Sequence, residues 1–163
     1  MLIAKKITIK IVRIDLIIVG KLKDPSLSAI ESNYIKRLSK IKLNIIEVKA
    51  AQGNVDIEAA SVVKKLSDFT SPYHLVLLAE KGTLYQSSDD FSRALFAMAE
   101  KHTNKKIVLV MGGAMGHGKA LYDVAKEMIS LSPLTFPHKL ARIILIEQLY
   151  RADTIASGHP YHH

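Results

Sequence analysis

The sequence predicts an α/β domain in which a mainly parallel sheet is covered by helices on both faces. Short runs rich in Ile, Val and Leu alternate with segments of helical periodicity along the 163 residues, a pattern typical of successive strand–helix–strand units. No repeat, low-complexity tract or flexible linker divides the chain, so we expect one domain. Apolar residues make up 48% of the sequence, enough for a core, which excludes a mostly disordered chain.

Four segments are predicted to be strands because they are short, apolar and rich in β-branched residues. They cover residues 9–19, 43–48, 74–79 and 107–111. Parallel sheets bind ligands beyond the carboxyl ends of their strands. The loops that follow Ala79 and Met111 are therefore the expected place for a functional site.

Helices are predicted between these strands, and several have start or stop signals. Asp24 suits the N-cap of a helix over residues 25–40, because Pro25 follows it at the first position. Ser87 and Asp90 form an S-x-x-D capping signature for a third helix that reaches residue 102. The other predicted helices cover residues 56–68 and 139–156, the latter ending before Gly158, a natural C′ residue.

Charge and composition narrow the class of protein. The net charge is +8, and residues 1–50 hold 11 Lys and Arg against 4 Asp and Glu. This excess of positive charge favours a polyanionic partner such as RNA. The alternative interpretation is a basic face that is only solvated. The absence of cysteine excludes disulfides and thiolate chemistry. No apolar run approaches the roughly 20 residues that span a bilayer, so we expect a cytoplasmic protein without a membrane partner.

A glycine-rich loop follows the fourth predicted strand. Its four glycines lie between Met111 and Lys119, where backbone can approach a ligand closely. Residues 113–119 also satisfy the phosphate-binding pattern G-x-x-x-x-G-K, but Ala120 stands where Ser or Thr should bind magnesium. A ligand-binding loop, a P-loop and a purely structural turn are the three interpretations.

Two later segments carry further candidates. Residues 131–138 contain Pro133 and Pro137, which prevent regular structure, so this apolar segment is either an ordinary connection or a wrap around an adenine. The tail has three histidines within five residues. Because it lacks a carboxylate, a loose tail is favoured over a metal site.

Together these segments resemble the RlmH-type SPOUT methyltransferases of large-subunit ribosomal RNA. The resemblance covers residues 14–163 and leaves residues 1–13 as an N-terminal extension outside it. Its most specific motifs are T-F-P-H at residues 135–138, E-Q-L-Y-R-A at 147–152 and P-Y-H at 160–162. Further matches lie at residues 19–23, 34–38, 45–48, 112–116, 131–132 and 140–142.

The resemblance implies an α/β SPOUT fold with a trefoil knot near the C-terminus, an exception to the rule that chains avoid knots. It also implies a homodimer that transfers a methyl group from S-adenosyl-L-methionine to N3 of a pseudouridine in large-subunit ribosomal RNA, with the assembled ribosome as the expected partner. No metal is required. The competing interpretations are a non-catalytic basic module that binds RNA or the ribosome, and a P-loop nucleotide hydrolase.

Site residues follow from the resemblance position by position. The implied cofactor contacts are Leu78, Gly112, Leu131, Ser132, Pro133, Leu134, Thr135 and Phe136. N3 of a uracil ring carries a proton at neutral pH, so a base or a stabilising charge is needed. The candidates are His162 as the base, with Arg142, His138 and Tyr161. The chain departs from the family pattern at Ala79, where an acidic residue is usual, and at His163, where a basic one is.

Overall fold

The computed structural model describes residues 10–162, except for the side chain of His162. The first nine residues, with the start of the strand predicted over 9–19, and His163 lie outside that description. The elements in chain order are β1 (Val12–Val19), α1 (Pro25–Lys36), β2 (Ile41–Val48), α2 (Val55–Ser67), β3 (Tyr73–Leu84), α3 (Ser88–Lys101), β4 (Lys106–Met111), α4 (Lys119–Val124), β5 (Glu127–Ser130), α5 (His138–Ser157) and a 3₁₀ turn, Pro160–His162. No described helix is long and apolar enough to cross a membrane.

The five strands form one parallel sheet in the order β2-β1-β4-β3-β5. Helices α1, α3 and α5 pack on one face, over side chains such as Ile14 and Leu109. Helices α2 and α4 pack on the other face, over Ile17 and Val108. Each fully buried Leu or Ile contributes about 1.5–3 kcal/mol relative to its exposed state. The predicted fold class is confirmed.

Local signals in the sequence set several helix ends. Asp24 Oδ1 accepts a hydrogen bond from Leu27 N at 3.0 Å, and Ser87 Oγ accepts one from Asp90 N at 3.1 Å. Gly158 ends α5 in the left-handed conformation with φ +69°. All three predicted caps are therefore confirmed.

Helix α1 ends at Lys36, four residues before the predicted end. The buried carboxylate of Asp153, on α5, accepts hydrogen bonds from the backbone N–H groups of Ser39, Lys40 and Ile41 at 2.6–3.0 Å. These contacts satisfy the N–H groups at the start of β2 and turn the chain out of the helix. The helical pattern that predicted the end of α1 is local, whereas the observed end depends on Asp153, which is more than 100 positions away.

The prediction that β3 ends at Ala79 was wrong, because the strand continues to Leu84. Leu78 and Thr83 both pair with Ile129, so the ladder between β3 and β5 contains a register shift. A Cβ atom at Gly82 would lie 2.6 Å from the backbone nitrogen and oxygen of Ile129, so this bulge requires glycine. The sequence also failed to predict β5, which is only four residues long.

Candidate active site

The strand order changes direction between β1 and β4, and the carboxyl ends of these strands flank a candidate site. Gly20 follows β1 and Gly112 follows β4. His138, the first residue of α5, lies between them: its Nε2 atom is 2.7 Å from the carbonyl oxygen of Gly112. Its Cε1 atom is 3.9 Å from the position that a Cβ of Gly20 would occupy.

The predicted cofactor residues lie on or directly after three neighbouring strands, and Leu78, within β3, is level with the end of β4. Leu78 on β3 pairs with Met111 on β4 and with Ile129 on β5. Gly112 directly follows Met111, and residues 131–136 begin directly after β5. The register of the sheet therefore brings these predicted segments together.

Two imidazoles donate to the backbone of these segments. A carbonyl oxygen only accepts, so Nε2 of His138 carries the proton that it shares with Gly112. His117 likewise donates from Nε2 to the carbonyl oxygen of Leu78 at 2.8 Å. Burial lowers the pKa of His117, and the bond to Leu78 opposes this only in part. His117 was not among the site residues predicted from the sequence.

The glycine loop is shaped by its own backbone. Gly113 and Gly116 form an isolated bridge, and Gly116 has φ +83°. A Cβ at Gly112 would lie 2.8 Å from the carbonyl carbon of Gly116 and 3.0 Å from Nδ1 of His117. Gly112 is therefore required by the loop itself, before any ligand is considered.

Glu58 on α2 supports this loop from the second face of the sheet. It is 3% exposed, and its Oε1 accepts a hydrogen bond from Ala51 N at 2.8 Å. Its Oε2 lies against Gly113. Within the described part of the chain, Glu58 Oε2 and His117 Nδ1 are buried without a hydrogen-bond partner. Sequence reasoning missed Glu58, since an acidic residue in an amphipathic helix gives no local signal of burial.

The segment 131–136 is irregular, as Pro133 and the following Pro137 predicted. Ser132 Oγ accepts from Leu134 N, and Thr135 Oγ1 donates to Glu80 Oε1, each at 3.0 Å. Leu131 packs against the core, whereas Leu134 is 68% exposed. Pro133 and Thr135 are exposed, and Ser132 and Phe136 are half-buried. The segment thus offers apolar side chains and backbone groups together.

Arg142 lies one turn after His138 and is bound by two carboxylates. Its Nε and Nη2 atoms contact the two oxygens of Glu31 at 2.6 and 2.8 Å, and Nη1 contacts Glu47 Oε1 at 2.6 Å. The Arg142 side chain is 5% exposed. Burial works to lower the pKa of Arg142, but the hydrogen bonds to Glu31 and Glu47 outweigh it, so the pKa is raised.

Tyr161 belongs to a separate cluster near the end of α5. Its ring packs against Tyr150 at 4.6 Å between centroids, and the guanidinium of Arg37 lies 4.4 Å over Tyr150. A hydrogen bond with Tyr34 is the main cause that raises the pKa of Tyr161 to about 12. A cleft of about 340 Å³ adjoins this cluster, lined by Ala29, Ile30, Asn33, Tyr34, Arg37 and Tyr161.

The catalytic candidates therefore form two groups within one chain. Tyr150 follows His138 by 12 helical residues, which corresponds to roughly 18 Å along α5. His138 and Arg142 lie at one end of the helix, and Tyr161 lies at the other. The side chain of His162, the expected base, is outside the description.

Residues 12–162 match the family model described as "Predicted SPOUT methyltransferase". The chain belongs to this family. It is 41% identical to Ribosomal RNA large subunit methyltransferase H of Francisella philomiragia, over 79% of this chain and 85% of that protein. It is 39% identical to the protein of the same name from Acetivibrio thermocellus, over 92% and 99%.

Among solved structures, the chain is similar to the SpoU methyltransferase AviRb from Streptomyces viridochromogenes, with a TM-score of 0.47 and 13% identity. That match covers 94% of this chain and 63% of AviRb.

The resemblance read from the sequence motifs is confirmed by the SPOUT family match and by the relatives. Membership of a methyltransferase family rules against the P-loop hydrolase and the non-catalytic module. Lys119, which the P-loop pattern would place on a phosphate, is 83% exposed and paired with Asp123.

Proposed function

We propose that the protein methylates N3 of a pseudouridine in large-subunit ribosomal RNA, with S-adenosyl-L-methionine as the methyl donor and the assembled ribosome as the substrate. One observation carries the proposal. The chain is 37–41% identical, over most of its length, to proteins named Ribosomal RNA large subunit methyltransferase H. That name supports large-subunit ribosomal RNA as the substrate class, and a cytoplasmic location is part of the same proposal.

The residues at the carboxyl edge of the sheet fit a purine nucleoside. Adenine needs apolar walls for its faces and backbone groups for its edge. Leu78, Leu131 and Leu134 supply apolar surface at this edge, and the segment 131–136 supplies backbone groups that belong to no helix or strand. The glycine loop has no side chain at Gly112 or Gly113 that would cover the site. We propose these residues, with Ser132, Pro133, Thr135 and Phe136, as the cofactor site.

S-adenosyl-L-methionine would supply an electrophilic methyl group there. The protein has to orient the uracil ring and accept the proton from N3, so positioning supplies much of the rate. We propose His162 as the base, with Tyr161 beside it in the chain. His138 orients the cofactor loop through Gly112. Arg142, whose guanidinium is bound to two carboxylates, has a positioning role.

A homodimer explains why the candidates lie at opposite ends of α5. In a dimer, the Tyr161–His162 tail of one subunit can complete the site that His138 begins on its partner. Ile30 on α1 and Leu140 on α5 are 44% and 46% exposed, and such apolar surface suits an interface of more than roughly 1,000 Å². We also propose that the C-terminal part of the chain forms the trefoil knot. After β5, at the edge of the sheet, the chain crosses to the position of β4, two strands away. There His138, the first residue of α5, contacts Gly112.

The function is tested by methylation of ribosomes that lack the modification. Naked RNA, large subunits and whole ribosomes are incubated with the protein and S-adenosyl-L-methionine, and mass mapping locates any methyl group. We expect one pseudouridine to be methylated, with whole ribosomes as the best substrate. Ribosome binding without methyl transfer would contradict the proposal.

The shared site is tested by co-expressing two differently tagged variants, His138→Ala and Tyr161→Ala. Hybrid dimers contain one site in which both residues are intact, so at a subsaturating concentration of S-adenosyl-L-methionine they should be more active than either parent dimer. Hybrids no more active than the parents would contradict a site completed by the partner. An active monomer in light scattering would do so as well.

A further inference from the structure

Glu47 joins Arg142 to the loop between β1 and α1. Its Oε1 atom accepts from Nη1 of Arg142 at 2.6 Å and also from the backbone N–H of Leu22 at 3.1 Å. Arg142 binds Glu31 on α1 with its remaining donors. One largely buried ionic cluster therefore connects α5, α1, β2 and residues 20–23.

The geometry of this loop places it beside the candidate active site. Gly20, with φ +100°, is bonded through its N–H to the carbonyl of Val48 at 2.8 Å and lies next to His138. Leu22 is half-buried, whereas Lys21 and Lys23 are exposed. The loop therefore presents two ammonium groups at the rim of the site.

Electrostatics support this arrangement. Burial acts to raise the pKa of Glu47, but hydrogen bonds from Arg142 and Leu22 and the charges of Arg142 and Lys21 outweigh it and lower the pKa. Glu47 is therefore ionised at neutral pH, where its charge-assisted bond to the Leu22 N–H is strong. The two carboxylates of Glu31 and Glu47 and the single guanidinium of Arg142 leave one net negative charge, and this charge attracts nearby lysines.

We infer that Glu47 and Arg142 are positioning residues that hold Gly20–Lys23 as a phosphate-binding loop at the rim of the methyl-transfer site. The loop would contact the backbone of the RNA that carries the target base. Phosphate contacts fix orientation without reading sequence, so the cluster would align the RNA relative to His138 and the cofactor segments. This inference rests on the proposed function and assigns a role to residues outside the cofactor site.

The test compares Glu47→Ala with Glu31→Ala. Each variant removes one carboxylate from Arg142, but only Glu47 also binds the loop. We expect Glu47→Ala to raise KM for the ribosome about tenfold, with kcat and the Kd for S-adenosyl-L-methionine within about twofold of wild type. Glu31→Ala should change KM by less than about threefold. Glu47→Gln, which keeps an acceptor for Leu22, should recover part of the loss.

Amide hydrogen exchange gives a second measurement that does not depend on activity. Exchange at Leu22 should accelerate in Glu47→Ala and stay near the wild-type rate in Glu31→Ala. Equal effects of the two variants on KM, or an unchanged Leu22 exchange rate in Glu47→Ala, would overturn the inference. If the wild-type protein bound S-adenosyl-L-methionine but methylated no ribosomal RNA, the proposed function would fail instead. Leu22 exchange would still report on the loop.

Discussion

The imidazole of His138 donates a hydrogen bond from Nε2 to the carbonyl oxygen of Gly112, 2.7 Å away. This bond joins the first turn of α5 to the loop after β4, although the residues are 26 positions apart. While it persists, Nε2 cannot accept a proton from a substrate. His138 is therefore better suited to fixing the loop than to acting as the base through that atom.

Replacing His138 tests this role directly. His138→Ala removes the donor to Gly112, and we expect the Kd for S-adenosyl-L-methionine to rise about tenfold, the cost of one such bond. His138→Gln can still donate an N–H and should recover most of the affinity. Calorimetric titration measures both variants. A Kd that is unchanged in His138→Ala would show that the bond does not support the cofactor site.

Gly112 permits a sharper prediction from the structure than from its sequence context. The sequence pattern predicts that glycine leaves room for a ligand there, but an added Cβ would first meet Gly116 and His117. Gly112→Ala should thus distort the loop, lower the free energy of unfolding by about 1–3 kcal/mol and weaken S-adenosyl-L-methionine binding at least tenfold. Ala114→Ser, an exposed change in the same loop, is the matched control. Wild-type affinity in Gly112→Ala would refute this account.

His117 should make stability depend on pH. Its pKa is lowered by burial from 6.5, so the unfolded chain binds more protons than the folded protein in the interval below 6.5. The stabilisation that neutral His117 gives the folded protein is complete above about pH 6.5. It is lost as the pH falls through the pKa of His117 in the folded protein. His102 acts in the same direction, since desolvation and the nearby charge of His74 lower its pKa.

Urea unfolding at about pH 7.5 and 5.5 measures this effect. His117→Gln keeps a donor for the Leu78 carbonyl and cannot titrate, so it should lose less stability between the two pH values than wild type does. His102→Gln is the comparison for the second histidine. An unchanged pH dependence in His117→Gln would contradict the assignment.

Local pattern in the sequence predicted the helix caps of α1 and α3, and the parallel sheet placed the expected site in the loops after two of its strands. Leu78, Gly112 and residues 131–136 were named from the resemblance to the family, and their role as cofactor contacts stays a prediction. The partners of Arg142 could not be predicted: Glu31 and Glu47 lie 111 and 95 positions away. No periodicity encodes which buried charges meet. The bulge in β3 was missed for a similar reason, since only Ile129 opposite it explains Gly82.

The last prediction concerns the protein surface that is expected to contact RNA. Its lysines Lys21, Lys23 and Lys36 are exposed. Arg37 also adds positive charge near them in the sequence, but its guanidinium lies over the rings of Tyr150 and Tyr161, so reversing its charge would also disturb the tail. A clean test reverses Lys21 and Lys23 together, to Glu. Removing one phosphate contact should lower the slope of log K against log salt by about one unit.

The matched control reverses Lys101 and Lys105, two exposed residues next to the start of β4, at the opposite edge of the sheet from the candidate site. Both double variants change the net charge equally, so a difference between them reports position and not total charge. Ribosome binding measured over a series of salt concentrations should show a slope about two units smaller for Lys21→Glu/Lys23→Glu and a wild-type slope for the control. Equal slopes in the two variants would mean that these lysines attract RNA only through net charge, and that RNA does not approach the site across the Gly20–Lys23 loop.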